Sequence, residues 1–285
     1  MQQVTVRVPA STSNLGPGFD CLGVALRIYN DVIVTRGEKS RLPAIARAAA
    51  DLFFQRTRCA PFSFSISIRG DVPSSRGLGG SVTVRLGALL AMNFLSGNRL
   101  DRLSIFQLCA QLEGHPDNAA PAVFGGFTVV REENVQRFHV STALSFVLLI
   151  PNFEVETSAA RKILPSRITR AAAIRNSANS SAITAAFASG NYQNLRGAFR
   201  DRLHQPYRKK LIPFLPRVIT AAEKAGALGA FLSGSGSTIA AVTLTNPEKI
   251  AEAMHHKVEN HTARTVIVSA DNRGARLVQS PITSH

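Results

Sequence analysis

Residues 71–93 read DVPSSRGLGGSVTVRLGALLAMN, and their first and last thirds ask for different structures. The preceding run, FSFSISIRGDVP (62–73), alternates with period two as a strand does, whereas SVTVRLGALLAMNFLSG is a largely apolar helix closed by glycine. Between them Gly77, Gly79 and Gly80 fall within four positions, and Ser81 follows at once. A helix N-terminus leaves its first backbone N–H groups unpaired and carries a partial positive charge. Glycines at that point let an anion such as a phosphate reach the amides. The frame is neither a Walker A loop, since no lysine follows in register, nor G-x-G-x-x-G. A plain tight turn also explains three glycines, so the loop gains meaning only from its company.

The rest of the chain mixes both periodicities. QQVTVRVPA reads as a strand, DCLGVALRIYNDVIVTR as a further extended segment after a Gly/Pro-rich loop, and LPAIARAAADLFFQRT (42–57) as a helix. LDRLSIFQLCAQLEG is helical, and FGGFTVVRE and LSFVLLIPN are strands. Beyond Pro151-Asn152 the character changes. AARKIL, RAAAIRNSANSSAITAAFASG, YQNLRGAFRD and PFLPRVITAAEKAGA read as helices. LGAFLSGSGSTIAAVT (228–243) reads as strand, glycine loop, then strand or helix; PEKIAEAMHHKVENH is an amphipathic helix and ARTVIVSA a last strand. The pattern is α+β in two halves, 1–151 and 152–285, without internal repeats.

Composition narrows the function. With 285 residues and 45% hydrophobic content the chain buries a sizeable core. No run of about 18 apolar residues predicts a membrane span, and MQQVTVRVPASTS lacks the basic and apolar regions of a secretory signal. Cys21, Cys59 and Cys109 are odd in number and scattered, which suits a reducing cytoplasm better than a disulfide framework. The formal net charge is +15, yet the basic residues are dispersed apart from RGEKSR (36–41) and YRKK (207–210), and tryptophan is absent. That favours a solvated basic surface over a nucleic-acid or membrane partner; a nucleic-acid binder would lose affinity steeply with salt.

Three further stretches supply the company. PASTSNLGPGFDCLGVAL (9–26) sets Ser11, Ser13, Asn14 and Asp20 around a glycine turn; EGHPDNAAPAVFGGF (113–127) packs Glu113, His115, Asp117 and Asn118 into six residues; FLSGSGSTIAAV (231–242) is another glycine loop. Together with RGLGGS and RLHQPYR they resemble the GHMP family of small-molecule kinases, and within it the members that act on L-homoserine. The likeness runs from about residue 4 to about residue 245. It implies an N-terminal left-handed β-α-β nucleotide-binding domain (ribosomal protein S5 domain 2-like), a C-terminal ferredoxin-like domain, and an active site between them. It implies transfer of the ATP γ-phosphate to the hydroxyl of L-homoserine, a step in threonine biosynthesis, and a homodimer is a family expectation.

On that resemblance Arg76, Gly77, Leu78, Gly79, Gly80 and Ser81 form the ATP phosphate loop, and Ser81 and Glu113 hold Mg²⁺. A magnesium site needs little more from a protein, because the ion takes oxygen ligands and keeps several waters. Asn14, Asp20, His115, Asn118, Arg161 and Arg208 surround the amino acid, with Asp20 suited to an ammonium group and the two arginines to a carboxylate. Asn118, His115 and Asp117 are the catalytic candidates, and Asp117 is the only general base to be named; the resemblance implies that none is required. From the residues alone, Asn14 and Asp20 also read as loop caps, Glu113 as a surface glutamate at a helix end, and either arginine as a surface charge.

The pattern departs from the family's in places. Gly80 stands where a loop serine is usual, Arg85 where a small or aliphatic residue is usual, and Ser237 where proline is common. The region TRGEKSRLPAIARAAADLFF is short and lacks the asparagine-leucine pair expected beside the adenine. Arg85 is left with three outcomes: pairing with an acid, facing solvent, or reaching the nucleotide. The alternatives to the leading reading are another GHMP kinase, which the set Asn14, Asp20, Arg161 and Arg208 disfavours, and a catalytically impaired ligand-binding member, which Gly80 motivates.

Overall fold

The computed structural model describes residues 2–38, 40–258 and 262–278. Its first half runs β1 (Gln3–Ser13), β2 (Leu22–Arg36), α1 (Ala44–Thr57), β3 (Phe64–Gly70), α2 (Gly80–Leu95), α3 (Arg102–Glu113), α4 (Ala119–Phe124), β4 (Phe127–Arg131) and β5 (Asn134–Phe138). Then come β6 (Ser145–Pro151), α5 (Thr157–Lys162), α6 (Arg170–Ser189), a 3₁₀ turn at Tyr192–Leu195, α7 (Gln205–Arg208) and α8 (Leu215–Lys224). The chain closes with β7 (Gly229–Leu232), β8 (Ile239–Thr243), α9 (Pro247–His255), β9 (Ala263–Ser269) and β10 (Arg276–Val278).

The long β2 organises the first sheet. It pairs antiparallel with β1 along most of its length, while its beginning pairs with β4 (Leu22 opposite Val129) and its end with β3 (Arg36 opposite Phe64). The sheet order is β10-β1-β2-β4-β5, with β3 off that path on β2. Alternation puts Val4, Val6 and Val8 of β1 and Val32 and Val34 of β2 on one face, where they pack with Phe53, Leu86, Leu89 and Met92 from α1 and α2. Each such aromatic or aliphatic side chain, fully buried, contributes roughly 2 kcal/mol. Gly87 lets α2 lie close on the sheet: a Cβ there would sit 2.4 Å from a Val32 methyl. That contact fixes where the N-terminus of α2 points.

The second sheet has the order β7-β8-β6-β9, all antiparallel. With a helical crossover between β6 and β7 and α9 between β8 and β9, this is the β-α-β-β-α-β arrangement of a ferredoxin-like unit. Val147 and Leu149 of β6 face α8 and α9 through Val218, Ile250 and Met254. Phe146 and Leu148, on the other face, meet the first sheet in a shared core in which Phe127 stacks on Phe187 at 4.2 Å. β6 precedes the expected 151/152 boundary but belongs to the second sheet, and β10, from the far end of the chain, belongs to the first.

Several local expectations need correcting. YQNLRGAFRD makes only the 3₁₀ turn: the backbone leaves helical geometry at Arg196, with ψ 122°, and Gly197 follows at φ +77°. Of the two alternatives left open after the third glycine loop, strand or helix, the segment is a strand, β8. The helix from Pro247 ends at His255; residues 259–261 of that expected helix, and Lys39 of the basic RGEKSR cluster, lie outside the described residues. The short strands β5 and β10 and the short helices α4 and α7 carry too little periodicity to be read from sequence. Among the described residues no helix is long and apolar enough to cross a membrane.

Candidate active site

The three glycine loops converge. Between β3 and α2 the loop is tied down by Ser11 N–H to the Leu78 carbonyl (3.1 Å), Thr238 N–H to the Arg76 carbonyl (3.1 Å) and Ser233 Oγ to the Gly77 carbonyl (2.6 Å). Gly77 lies so close to the third loop that a Cβ would stand 2.1 Å from the Ser233 carbonyl oxygen, and its φ is +73°. Gly79 turns the chain into α2 with φ +70° and offers no side-chain cap. The first turn of α2 therefore keeps its amides for an external acceptor.

A cleft of about 360 Å³ opens in front of that turn. Of the residues singled out above, Asn14, Asp20, Gly77, Gly79, Gly80, Ser81, Glu113, His115, Asp117, Asn118, Arg161 and Arg208 line it. Its apolar lining is Ile45, Val82, Val84 and Val155. Arg76 and Leu78 are not brought to it. Arg76 donates to the Pro151 carbonyl (3.0 Å) and pairs with Glu154 (3.2 Å), and Leu78 is buried in the core. Their side chains hold the loop rather than face the cleft.

The β1–β2 loop forms one wall. Asn14, at φ +69°, accepts the Asp20 N–H through Oδ1 (3.0 Å) and donates through Nδ2 to the Gly234 carbonyl (3.0 Å). Asn14 is thus a loop cap, and its cap aims the Asp20 side chain at the opposite wall. There Arg161 meets Asp20 in a bidentate ion pair at 2.6 and 2.9 Å. Arg208 is buried, not part of a solvated basic run: its Nε donates to the Ala160 carbonyl (3.1 Å) and Nη1 to the Gly234 carbonyl (2.9 Å). Burial, with Arg161 nearby, pulls its pKa down to about 10.

Two residues that sequence reading passed over stand behind this wall. The guanidinium groups of Arg161 and Arg208 lie 5.4 and 5.2 Å from the centre of the Phe19 ring, a cation–π platform. His204, fully buried, sets Nε2 2.8 Å from the Gly16 carbonyl and Nδ1 3.3 Å from Arg208 Nη1. That pattern fits a neutral ring donating from Nε2 and accepting at Nδ1, and burial pushes its pKa down to about 4. Phe19 and His204 stand inside PGFD and RLHQPYR, so the signal was their place in those segments, not their chemistry.

The third wall follows Gly114. His115 Nδ1 lies 2.9 Å from Asp117 Oδ1, and that oxygen also accepts the Asn118 N–H (3.0 Å). Burial alone would lower the His115 pKa, but the hydrogen bond and charge of Asp117 overcome it and raise it. Burial would likewise raise Asp117, and His115 holds it low instead. Asn118 accepts from Ser11 Oγ (2.9 Å) and donates to Ser13 Oγ (2.8 Å). A buried, fully engaged carboxylate of depressed pKa is a poor proton acceptor, whereas His115 gains cationic character.

Glu113 ends α3 with its side chain only 6% exposed. Ser81 Oγ donates to its Oε2 (2.8 Å), and the Arg85 guanidinium contacts Oε1, an oxygen buried without a hydrogen bond. A hydroxyl and a carboxylate oxygen side by side fit a divalent cation, with the Arg85 guanidinium now holding the second carboxylate oxygen. No group of three or more His, Cys, Asp or Glu able to hold a metal occurs among the described residues, so such an ion would lean on oxygens of a phosphate ligand.

An anion cradle at a helix N-terminus, facing a polar chamber with charges of both signs, defines a phosphotransferase for a small molecule. The model for the GHMP kinases N terminal domain matches residues 44–126, and that for the GHMP kinases C terminal domain matches residues 160–260. The chain belongs to the GHMP kinases. It is 38% identical to a homoserine kinase of Caldicellulosiruptor bescii over 99% of each chain, and 38% identical to one of Nostoc punctiforme over 96% of this chain and 97% of that one. The crystal structure of homoserine kinase from Cytophaga hutchinsonii superposes with a TM-score of 0.89 at 26% identity, covering 98% of both chains.

Proposed function

We propose that this chain transfers the γ-phosphoryl group of ATP to the hydroxyl of L-homoserine, giving O-phospho-L-homoserine and ADP. The observation that carries the reading is a single cleft holding both the Gly77–Ser81 cradle and the Asp20, Arg161 and Arg208 set. The relatives named above support the choice of substrate. Asp20 receives the ammonium group of the amino acid, and Arg161 and Arg208 its carboxylate, which leaves the hydroxyl free to face the phosphate loop.

Ser81 and Glu113 would hold Mg²⁺, which when bound neutralises charge on the phosphate oxygens. The amides at the start of α2 receive the triphosphate, and His115, held by Asp117, faces the same cleft. The substrate oxygen forms its bond to phosphorus as the bond to the β–γ bridging oxygen breaks, and the hydroxyl proton passes to an oxygen of the transferred group. Positioning reactants supplies about 7–11 kcal/mol, more than the roughly 10²–10⁴-fold a general base adds. A cleft whose carboxylates are all engaged is therefore still competent. Three free cysteines support a reducing cytoplasm; a homodimer rests on the family resemblance.

The test is coupled ADP release with ATP and Mg²⁺, comparing L-homoserine with L-serine, L-threonine, mevalonate and galactose. Selective turnover of L-homoserine is expected. Nucleotide binding without turnover of any of them would overturn the reading in favour of a ligand-binding module.

A further inference from the structure

Arg85 lies four residues after Ser81, so both side chains leave the same face of α2 and both end on Glu113. The result is a carboxylate shared between a hydroxyl and a guanidinium at the mouth of the phosphate cradle. A nearly buried carboxylate such as Glu113 is costly without a counter-charge, and Arg85 supplies it. The same carboxylate is the one proposed above for a divalent cation. Arg85 holds Oε1 and Ser81 holds Oε2, so a metal beside Ser81 would bring a second cation onto one carboxylate, and their mutual repulsion works to expel the arginine.

The displaced guanidinium needs a new acceptor. Its Nε–H is already buried without a hydrogen-bond partner. No acidic residue occupies the first turn of α2 to offer one. Val84, beside it, and Ser81, one turn before, line the cleft in which a triphosphate would lie. A phosphate oxygen is the natural acceptor, and arginine binds phosphate through two parallel N–H groups.

We propose that Arg85 is an internal counter-cation exchanged between Glu113 and a nucleotide phosphate, so that divalent metal and nucleotide load together and neither loads well alone. Metal without nucleotide meets a carboxylate already neutralised. Nucleotide without metal meets an arginine already engaged. Metal and nucleotide together exchange one ion pair for two. This inference rests on the nucleotide half of the reading above and not on the identity of the acceptor.

The test uses the full-length chain without any amino acid. Mn²⁺ binding is followed by electron paramagnetic resonance in the absence of nucleotide, and binding of metal-free ATP in EDTA by calorimetry. Relative to the unaltered chain, Arg85→Ala should bind Mn²⁺ about 10-fold more tightly, and metal-free ATP about 10-fold more weakly because the bared Glu113 carboxylate then repels the phosphates, the effect of one nearby charge. Arg85→Gln, which keeps a hydrogen-bond donor to Glu113 without the charge, should behave alike and guards against misfolding of the alanine variant. Adding Glu113→Gln to either should abolish the gain in Mn²⁺ affinity. Unchanged Mn²⁺ affinity in both variants overturns the proposal and makes the pair a fastener between α2 and α3. So does a gain that survives Glu113→Gln, or unchanged ATP affinity. Because no turnover is read, these outcomes are independent of whether L-homoserine is the acceptor.

Discussion

Asp20 and Arg161 hold each other across the cleft: Arg161 Nη2 lies 2.6 Å from Oδ1 and Nη1 2.9 Å from Oδ2. Both side chains are about one-third exposed, and such a pair is worth only about 0.2–1 kcal/mol in water. It opens at little cost to a ligand that brings both charges, because an ammonium replaces Arg161 on Asp20 while a carboxylate replaces Asp20 on Arg161. Asp20→Asn should therefore raise KM for L-homoserine by about 100-fold, the value of a charge-assisted contact, and leave KM for ATP nearly unchanged. Steady-state kinetics with each substrate varied checks this; equal losses for both would mean that Asp20 only shapes the loop.

Glu113 stands apart from the amino-acid side of the cleft, joined instead to Ser81 and Arg85. Glu113→Gln keeps its size and removes the charge. Turnover with Mg²⁺ should fall by about 10²–10³-fold, as for loss of one electrostatic stabiliser, while binding of L-homoserine measured without nucleotide stays the same. A variant with ordinary turnover would take Glu113 out of the metal role.

Restoring a serine at position 80 tests whether that glycine weakens the cradle. A Cβ on Gly80 would stand 2.8 Å from the Pro73 carbonyl oxygen and 3.3 Å from the Ser74 Cα, both backbone atoms. The loop has closed over the missing side chain, so Gly80→Ser must push residues 73–75 outward. Stability should drop by about 1–3 kcal/mol, as for overpacking elsewhere, with no gain in ATP affinity. Thermal unfolding and an ATP titration of the same sample decide; tighter ATP binding at unchanged stability would show that the loop yields freely.

Arg208→Ala combines a binding loss with a structural one. The guanidinium satisfies the Ala160 and Gly234 carbonyls and lies over Phe19, and each buried acceptor left without a donor costs about 1–3 kcal/mol. Affinity for L-homoserine should fall far more than affinity for ATP, and the urea midpoint should fall with it. An unchanged midpoint would mean that water replaces the guanidinium and that its role is confined to the ligand.

Sequence legibility followed the length of the signal. The alternation of β1 and β2 and the apolar face of α2 span enough residues to be read directly, and the glycines at 77 and 79 announced a helix N-terminus open to an anion. The three-residue β10 could not be read, because its place beside β1 is set by tertiary pairing rather than by its own pattern. In the site, most of the residues singled out from sequence gather in one cleft, but their types did not disclose their partners. Nothing in the sequence joins Arg161 to Asp20, 141 positions apart, or tells that Arg85 turns back to Glu113 on another helix. From the residues alone, among so many Lys and Arg, Arg208 read as a surface charge and only the resemblance singled it out; α7 turns its side chain inward.

His204 offers a pH signature of its own. Its ring is fully buried, with Nε2 3.5 Å from Asp201 and Nδ1 toward Arg208, and Asp20 also lies within electrostatic reach. Burial and the Arg208 charge lower its pKa to about 4, against the opposing pull of Asp201. On acidification the unfolded chain takes up a proton near the ordinary histidine pKa of about 6.5, and the folded chain does so only near 4. Between those values the unfolded state binds more protons, so stability falls as pH falls and levels off below the window. His115 has the opposite sign. Its raised pKa gives stability that is present below about 6.5 and lost as pH rises through its folded value. Urea unfolding at several pH values between 7 and 4, for the unaltered chain and for His204→Gln, separates the two, since only the acid-side slope should flatten in the variant. A stability difference that does not change with pH would mean that His204 takes up its proton at the same pH in the fold as in the unfolded chain, and that burial between Gly16 and Arg208 does not hold the ring neutral.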